Sequence, residues 1–130
     1  MKDGNEPHTF LLAEDYGTLC VQAITAIRRI FGNDTKITTA RTTVEVLKQF
    51  NLKSDFDYIL LDIDLADDST HHSIVPSIKE NYEGVIIGIV NVANHESECE
   101  KMLRAGCRYA VTKGKGLVNL LLKLNEEENS

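Results

Sequence analysis

The stretch Tyr58-Ile59-Leu60-Leu61-Asp62 is a short run of apolar residues that ends in an acid. A second run, Phe10-Leu11-Leu12-Ala13, leads into Glu14-Asp15, and a third, Ala110-Val111-Thr112, leads into Lys113. Such solid runs are typical of strands that are covered on both faces. Parallel strands bring their carboxyl ends to one edge of a sheet, where these sheets bind ligands. The pattern therefore predicts carboxylates and a lysine gathered at one edge, the layout of a metal-assisted phosphoryl-acceptor site.

Apolar residues in other parts of the chain recur at helical spacing, so that strands and helices alternate. The predicted strands are 8–13, 36–39, 57–62, 85–90 and 108–112, and the predicted helices are 16–31, 41–50, part of 70–81, 95–105 and 116–126. This order repeats a strand-helix unit five times. It predicts an α/β domain with a parallel sheet and helices on both faces.

One proline complicates the third helix. Pro76 lies inside 70–81, and an interior proline costs a helix about 3 kcal/mol. Because proline is favoured at the first helical position, we expect a short helix that starts near Pro76. A long loop over 63–74 would then flank the candidate site. His71 and His72 in that loop suggest a metal, but no third ligand has suitable spacing, so a solvated loop is favoured.

Composition limits the class of protein. With 130 residues and 42% hydrophobic residues, the chain suits one domain with one sizeable core. Its net charge of −6 argues against a direct nucleic acid partner. No apolar run approaches the roughly 20 residues of a membrane span, and the first residues lack a signal peptide's apolar stretch. We therefore expect a soluble cytoplasmic protein. Its three scattered cysteines, Cys20, Cys99 and Cys107, are predicted to be buried thiols.

The chain resembles the receiver domain of bacterial two-component response regulators. Three pieces carry the resemblance: residues 10–15 (Phe-Leu-Leu-Ala-Glu-Asp), residues 58–63 (Tyr-Ile-Leu-Leu-Asp-Ile), and Ala105-Gly106 followed by Lys113. The likeness covers roughly 8–124, so we expect a single receiver domain over 1–130, without an effector domain. It implies a flavodoxin-like (βα)5 fold with a five-stranded parallel sheet in the order 2-1-3-4-5.

The resemblance also implies roles for the site residues. Asp62 would accept a phosphoryl group from a sensor histidine kinase or a histidine phosphotransfer protein. Mg2+ would be held by Glu14, Asp15, Asp62 and the backbone carbonyl of Asp64, and would cancel the repulsion between the carboxylate and the phosphoryl oxygens. Lys113 would pair with a phosphoryl oxygen. A domain of this kind signals to an unknown downstream protein and is not an enzyme in its own right.

The chain departs from the family where that family responds to phosphorylation. The position that usually holds Thr or Ser is Asn91, and the usual aromatic residue of the fifth strand is Ala110. Tyr109 is adjacent but should point to the opposite face. Two versions stay open. In one, Asp62 is phosphorylated and signals through an altered surface change; in the other, the chain is a pseudo-receiver that binds partners regardless of phosphorylation.

Two readings from other classes also stay open. Asp62-Ile63-Asp64 resembles the D-x-D motif of haloacid-dehalogenase-type phosphatases, in which Asp62 would be the nucleophile and Asp64 the general acid. That motif normally lies on the first strand of its domain, whereas 61 residues precede Asp62 here. An unrelated flavodoxin-like binding domain is the other possibility, and a bound flavin would be its sign.

Individual residues have simpler explanations as well. Glu14-Asp15 could cap the following helix, and Lys113 could be a solvated lysine. Gly88, inside an apolar strand, predicts close approach by a helix. The fourth helix, fifth strand and fifth helix carry charges of both signs, which suits a monomer or a weak homodimer. The charged residues in question are Glu98, Glu100, Lys101, Arg104 and Arg108.

Overall fold

The computed structural model describes residues 6–65, 67 and 70–129, with the side chains of residues 70–73 left out. The strands are β1 (Thr9–Ala13), β2 (Lys36–Ala40), β3 (Tyr58–Asp62), β4 (Val85–Val90) and β5 (Tyr109–Thr112). The helices are α1 (Gly17–Phe31), α2 (Thr43–Leu52), α3 (Thr70–Lys79), α4 (His95–Ala105) and α5 (Lys115–Glu128). A 3-10 turn, Val92–Asn94, joins β4 to α4.

The five strands form one parallel sheet in the order β2-β1-β3-β4-β5. This is the flavodoxin-like α/β fold, and the predicted fold class is confirmed. The order places β1 and β3 side by side at the centre, with β4 separating β3 from the edge strand β5. A side chain at the end of β5 must therefore reach past β4 to meet one at the end of β3.

Side-chain alternation along the strands divides the core into two clusters. Leu11 and Ile59 belong to the cluster that α2, α3 and α4 cover. Phe10 and Leu60 belong to the cluster that α1 and α5 cover. Because successive strand residues point to opposite faces and both faces are covered, the central strands are apolar except near their ends. This explains the solid runs in the sequence.

Gly88 in the middle of β4 lets α4 approach the sheet closely. A Cβ atom at this position would lie 2.9 Å from both Cβ and Cε of Met102, and Met102 is fully buried. The predicted close approach of a helix is confirmed. It sets how near α4 lies to the strand that ends beside the candidate site.

The third helix differs from the prediction. It begins at Thr70, and Pro76 lies inside it, so the predicted start near Pro76 and the loop over 63–74 are both wrong. His71 and His72 lie in α3 rather than in a solvated loop, and their side chains are outside the described part. The reason is burial: Ile74, Val75 and Ile78 from this helix are all in the core. Each buried apolar side chain contributes about 1.5–3 kcal/mol, which offsets the penalty of one exposed proline.

Two smaller predictions can also be compared with the structure. Cys107 is buried, as predicted, while Cys20 and Cys99 are only partly buried, and all three are free thiols. The second helix begins at Thr43, two residues later than predicted, because Thr42 caps it: its side chain accepts a hydrogen bond from the Glu45 backbone N–H. Among the described residues, no helix is both long and apolar enough to cross a membrane.

Candidate functional site

The candidate site lies at the carboxyl edge of the sheet, where β1, β3 and β5 end. Glu14 follows β1, Asp62 ends β3 and Lys113 follows β5. The strand residues two and four positions before each of them all pack into the core cluster covered by α1 and α5, called here the α1–α5 cluster. They are Phe10, Leu12, Tyr58, Leu60, Tyr109 and Val111. Since strand side chains alternate, the same pleat directs the side chains of all three candidate residues toward one face of the sheet. The structure therefore brings together residues that are far apart in sequence.

Three carboxylates converge at this edge. Glu14, Asp15 and Asp62 each offer an oxygen within 4.8 Å of the other two. Asp62 is 1% exposed and Glu14 is 5% exposed, which is unusual for acids. Burial, and then the hydrogen bond and charge of Asp62, raise the pKa of Glu14 from 4.5 to about 8. The cluster thus holds more negative charge than its protein surroundings neutralise, which suits a site for a hard cation.

Lys113 supplies the positive charge of the site. Its Nζ lies 2.9 Å from Oδ2 of Asp62 and 3.6 Å from Oε1 of Glu14. The main chain is held by a 3.2 Å hydrogen bond from the Lys113 N–H to the Val90 carbonyl. Burial lowers the pKa of Lys113, but the hydrogen bond to Asp62 and the charges of both acids outweigh burial and raise it. Lys113 is therefore a charged partner of Asp62 and not a solvated surface lysine.

The second oxygen of Asp62 organises the chain that follows it. Oδ1 accepts a 3.0 Å hydrogen bond from the Asp64 backbone N–H, and the Ile63 N–H is bound to the Ile89 carbonyl at 2.9 Å. The side chain of Asp62 thus holds Asp64 in place, while β4 holds Ile63. The Asp64 carbonyl as a cation ligand stays a prediction.

Asp15 is not the cap of α1. The residue at the N-cap is Tyr16, without a side-chain capping bond. Its N–H donates instead to Oε2 of Glu14, at 3.4 Å. The capping explanation for Glu14-Asp15 is therefore wrong. Both acids belong to the carboxylate cluster instead.

The structure also gives the surroundings of Asn91, Ala110 and Tyr109, the positions that the resemblance singled out. Asn91 directly follows β4, is exposed, and its backbone N–H donates to Oε1 of Glu98 at 3.0 Å. Ala110 packs toward α4, where its carbonyl accepts a 3.6 Å hydrogen bond from Sγ of Cys99. Tyr109 packs against the α1–α5 cluster, so the prediction that it points to the opposite face is confirmed. An alanine methyl at 110 leaves α4 without an aromatic partner from β5.

Sequence reasoning missed two contacts around the site. Nη2 of Arg41 donates to the Asp15 carbonyl at 3.0 Å, and Asp67 accepts hydrogen bonds from the first residues of α2. The sequence Thr42-x-x-Glu45 is a capping-box pattern that could have shown where α2 begins. No local pattern could have paired α2 with Asp67, because they come together only through the fold.

No protein-family model matches the sequence, and no curated protein matches it. Solved structures match it across its length. A response regulator receiver domain protein from Methanospirillum hungatei is 19% identical, with a TM-score of 0.75 and 95% of each chain covered. The receiver domain of a DNA-binding response regulator from Colwellia psychrerythraea is 14% identical, with a TM-score of 0.79 over 95% of this chain and 99% of that one.

A third structure shows a response regulator from Burkholderia pseudomallei with a phosphorylated aspartic acid, a calcium ion and citrate. It is 16% identical, with a TM-score of 0.70 over 93% of this chain and 72% of that one. At these identities the likeness concerns the fold. Over 93–95% of its length, the chain has the fold of response regulator receiver domains.

Proposed function

We propose that the chain is a receiver domain that accepts a phosphoryl group on Asp62 from the phosphohistidine of a sensor histidine kinase or a histidine phosphotransfer protein. One observation carries the proposal: three carboxylates lie within 4.8 Å of one another, and Nζ of Lys113 lies 2.9 Å from Asp62. A buried carboxylate beside an ammonium group, with two further acids close enough to share a cation with it, is what phosphoryl transfer to an aspartate requires. The phosphorylated aspartate of the Burkholderia structure belongs to the same fold.

The residues present fit Mg2+. The donors are all carboxylate oxygens, which hard divalent cations prefer. The raised pKa of Glu14 indicates that one lysine does not balance the buried acids. Glu14, Asp15 and Asp62 would hold the ion, with the Asp64 backbone carbonyl as a further ligand. The cation would neutralise charge on the phosphoryl oxygens.

The chain's own residues account for the rest of the transfer. A carboxylate oxygen of Asp62 attacks the phosphorus, the phosphorus–nitrogen bond of the donor breaks, and the electron pair stays on the donor imidazole. An oxygen–phosphorus bond forms in its place. Lys113, already charged and beside Asp62, exchanges its carboxylate contact for a phosphoryl oxygen. The protein supplies position and charge, and the donor supplies the reactive bond.

Intact mass measurement tests the proposal. Protein incubated with Mg2+ and a small phosphoryl donor should gain one phosphoryl group, and peptide mapping should place it on Asp62. The gain should be lost in Asp62→Asn and without Mg2+, but kept in Asp64→Asn, which changes the neighbouring exposed acid. No adduct in the wild type with Mg2+ present would contradict the proposal. Loss in Asp64→Asn would instead favour the haloacid-dehalogenase-type reading.

A second function is favoured by the altered positions around the site. Asn91 is exposed with its N–H held by Glu98, and Ala110 offers no aromatic ring to α4. A pseudo-receiver that binds its partner regardless of phosphorylation would tolerate both. The partner's affinity for wild type and for Asp62→Asn, each with and without the phosphoryl donor, separates the two functions. Equal affinity in all four samples would support the pseudo-receiver.

The proposed role is that of a signalling phosphoacceptor rather than an enzyme with its own substrate. Its phosphohistidine donors are intracellular, so the proposal places the chain in the cytoplasm. The partners are one phosphoryl donor and one downstream protein.

A further inference from the structure

The carboxylate of Asp67, in the segment that follows Asp62, is bound to the first turn of α2. Oδ1 of Asp67 accepts from the Thr43 backbone N–H and Oδ2 accepts from the Thr43 hydroxyl, each at 2.7 Å. A longer contact of 3.4 Å joins the Val44 N–H to Oδ2. Both carboxylate oxygens are therefore committed to α2. These bonds, that from the Thr43 backbone first, lower the pKa of Asp67 and keep it charged.

Asp67 is more than a replacement for a missing cap. The first turn of α2 already has its own, since Thr42 accepts from the Glu45 N–H at 3.1 Å and Glu45 accepts from the Arg41 N–H at 2.6 Å. Asp67 adds to this from another segment, 24 residues away. An external carboxylate on an already capped helix end fixes the position of one segment relative to the other.

Two residues of the candidate site, Asp62 and Asp15, are connected to the region around this turn. Asp62 holds the Asp64 N–H through Oδ1 at 3.0 Å, and Asp67 follows three residues later. On the other side, Arg41 donates to the Asp15 carbonyl at 3.0 Å. A phosphoryl group on Asp62 changes the charge and bonding of the carboxylate that holds Asp64. The change has only a few residues of chain to cross before it meets α2.

We infer that Asp67 is a positioning residue that transmits the state of Asp62 to the first turn of α2. The inference rests on the proposed function and deepens it. It gives this chain a route for the signal that needs neither a hydroxyl group at Asn91 nor an aromatic ring at Ala110. The surface that responds is the start of α2, where Val44 is 69% exposed.

Amide hydrogen exchange tests the route, with beryllofluoride and Mg2+ as the probe. Fluorine NMR reports whether the beryllofluoride adduct forms, independently of α2. In the wild type, adduct formation should change the exchange rates of residues 43–46 by roughly fivefold or more, the lower end of typical allosteric coupling. In Asp67→Asn the adduct should still form, while the change at residues 43–46 should fall below about twofold.

Three further variants make the test specific. Thr43→Val removes the hydroxyl group from the opposite side of the contact and should weaken the response as Asp67→Asn does, so the test does not depend on one variant folding. Thr43→Ser keeps the hydroxyl group and should keep the response. Asp55→Asn removes an exposed acid before β3, at the other end of the sheet, and should respond like the wild type.

Each contrary result has its own meaning. An adduct without a change at residues 43–46 in the wild type overturns the inference and leaves the proposed function standing. A full response in Asp67→Asn shows that Asp67 only caps the helix and also overturns it. Absence of any adduct in the wild type rejects the proposed function, and the inference is then rejected with it.

Discussion

At the scale of single residues, the main feature of the site is that acidic side chains are buried close together. Glu14 and Asp62 are almost wholly buried, and both face the ammonium group of Lys113. Asp62 takes the shorter contact with the lysine, at 2.9 Å against 3.6 Å for Glu14. Burial, and then the hydrogen bond and charge of Asp62, raise the pKa of Glu14, so that Glu14 holds a proton at neutral pH. A divalent cation would displace that proton, which links cation binding to pH.

The titration of Glu14 predicts how stability depends on pH. Its folded-state pKa of about 8 lies above its ordinary value of 4.5. Between these values the folded protein holds a proton that the unfolded chain has released. Without a divalent cation, the free energy of unfolding should therefore fall as the pH rises through this window, by up to about 1.4 kcal/mol per pH unit. Urea unfolding across that range measures the slope.

Two comparisons isolate the contribution of Glu14. Glu14→Gln cannot release a proton, so its slope should be shallower than that of the wild type. Glu83→Gln, at an exposed position, should leave the slope unchanged. Added Mg2+ should raise the free energy of unfolding of the wild type most at the upper end of this pH range. An ion that binds the folded state and not the unfolded chain stabilises the fold. Equal slopes in wild type and Glu14→Gln would contradict the assignment.

At the scale of elements, the packing of helices against the sheet sets the geometry of the strand ends. The Gly88–Met102 contact is one close fit of this kind, since a Cβ atom would meet Met102 at 2.9 Å. Gly88→Ala should lower the free energy of unfolding by roughly 1–3 kcal/mol, the usual range for overpacking a core. Gly17→Ala is the matched control, because a Cβ atom there has nothing within 4 Å. Urea midpoints that move equally in both variants would contradict the packing argument.

What the sequence could predict followed from local patterns. The runs ending in Glu14-Asp15 and Asp62 are apolar because both of their faces are buried, and this revealed the strands and the edge they share. The start of α3 was not predictable, because the local preference of Pro76 competes with the burial of its neighbours in the fold. The link from Asp67 to Thr43 was invisible for a related reason: 24 residues separate the partners, and no periodicity connects them.

At the scale of the whole molecule, α4 and α5 lie on opposite faces of the sheet and flank the edge strand β5. The charges of α4 are partly paired within the helix, as Arg104 is bound to Glu100 four residues earlier. One leucine on each helix is exposed, Leu103 at 48% and Leu122 at 46%. A stable interface buries about 1,200–2,000 Å² in total with an apolar centre. Two exposed leucines among charged side chains support at most a weak contact between two copies.

We therefore expect weak self-association through α4, β5 and α5, stronger when beryllofluoride and Mg2+ are bound. In sedimentation velocity experiments over a range of concentrations, the sedimentation coefficient of the wild type should rise slightly as the protein concentration increases. Leu103→Asp should abolish it, because the acid places a charge at the centre of the contact. Leu52→Asp, at an exposed leucine on α2 that is 75% accessible, should leave it intact. A monomer in both states at every concentration would show that this surface does not pair with itself, leaving the first turn of α2 as the surface to test for a downstream partner.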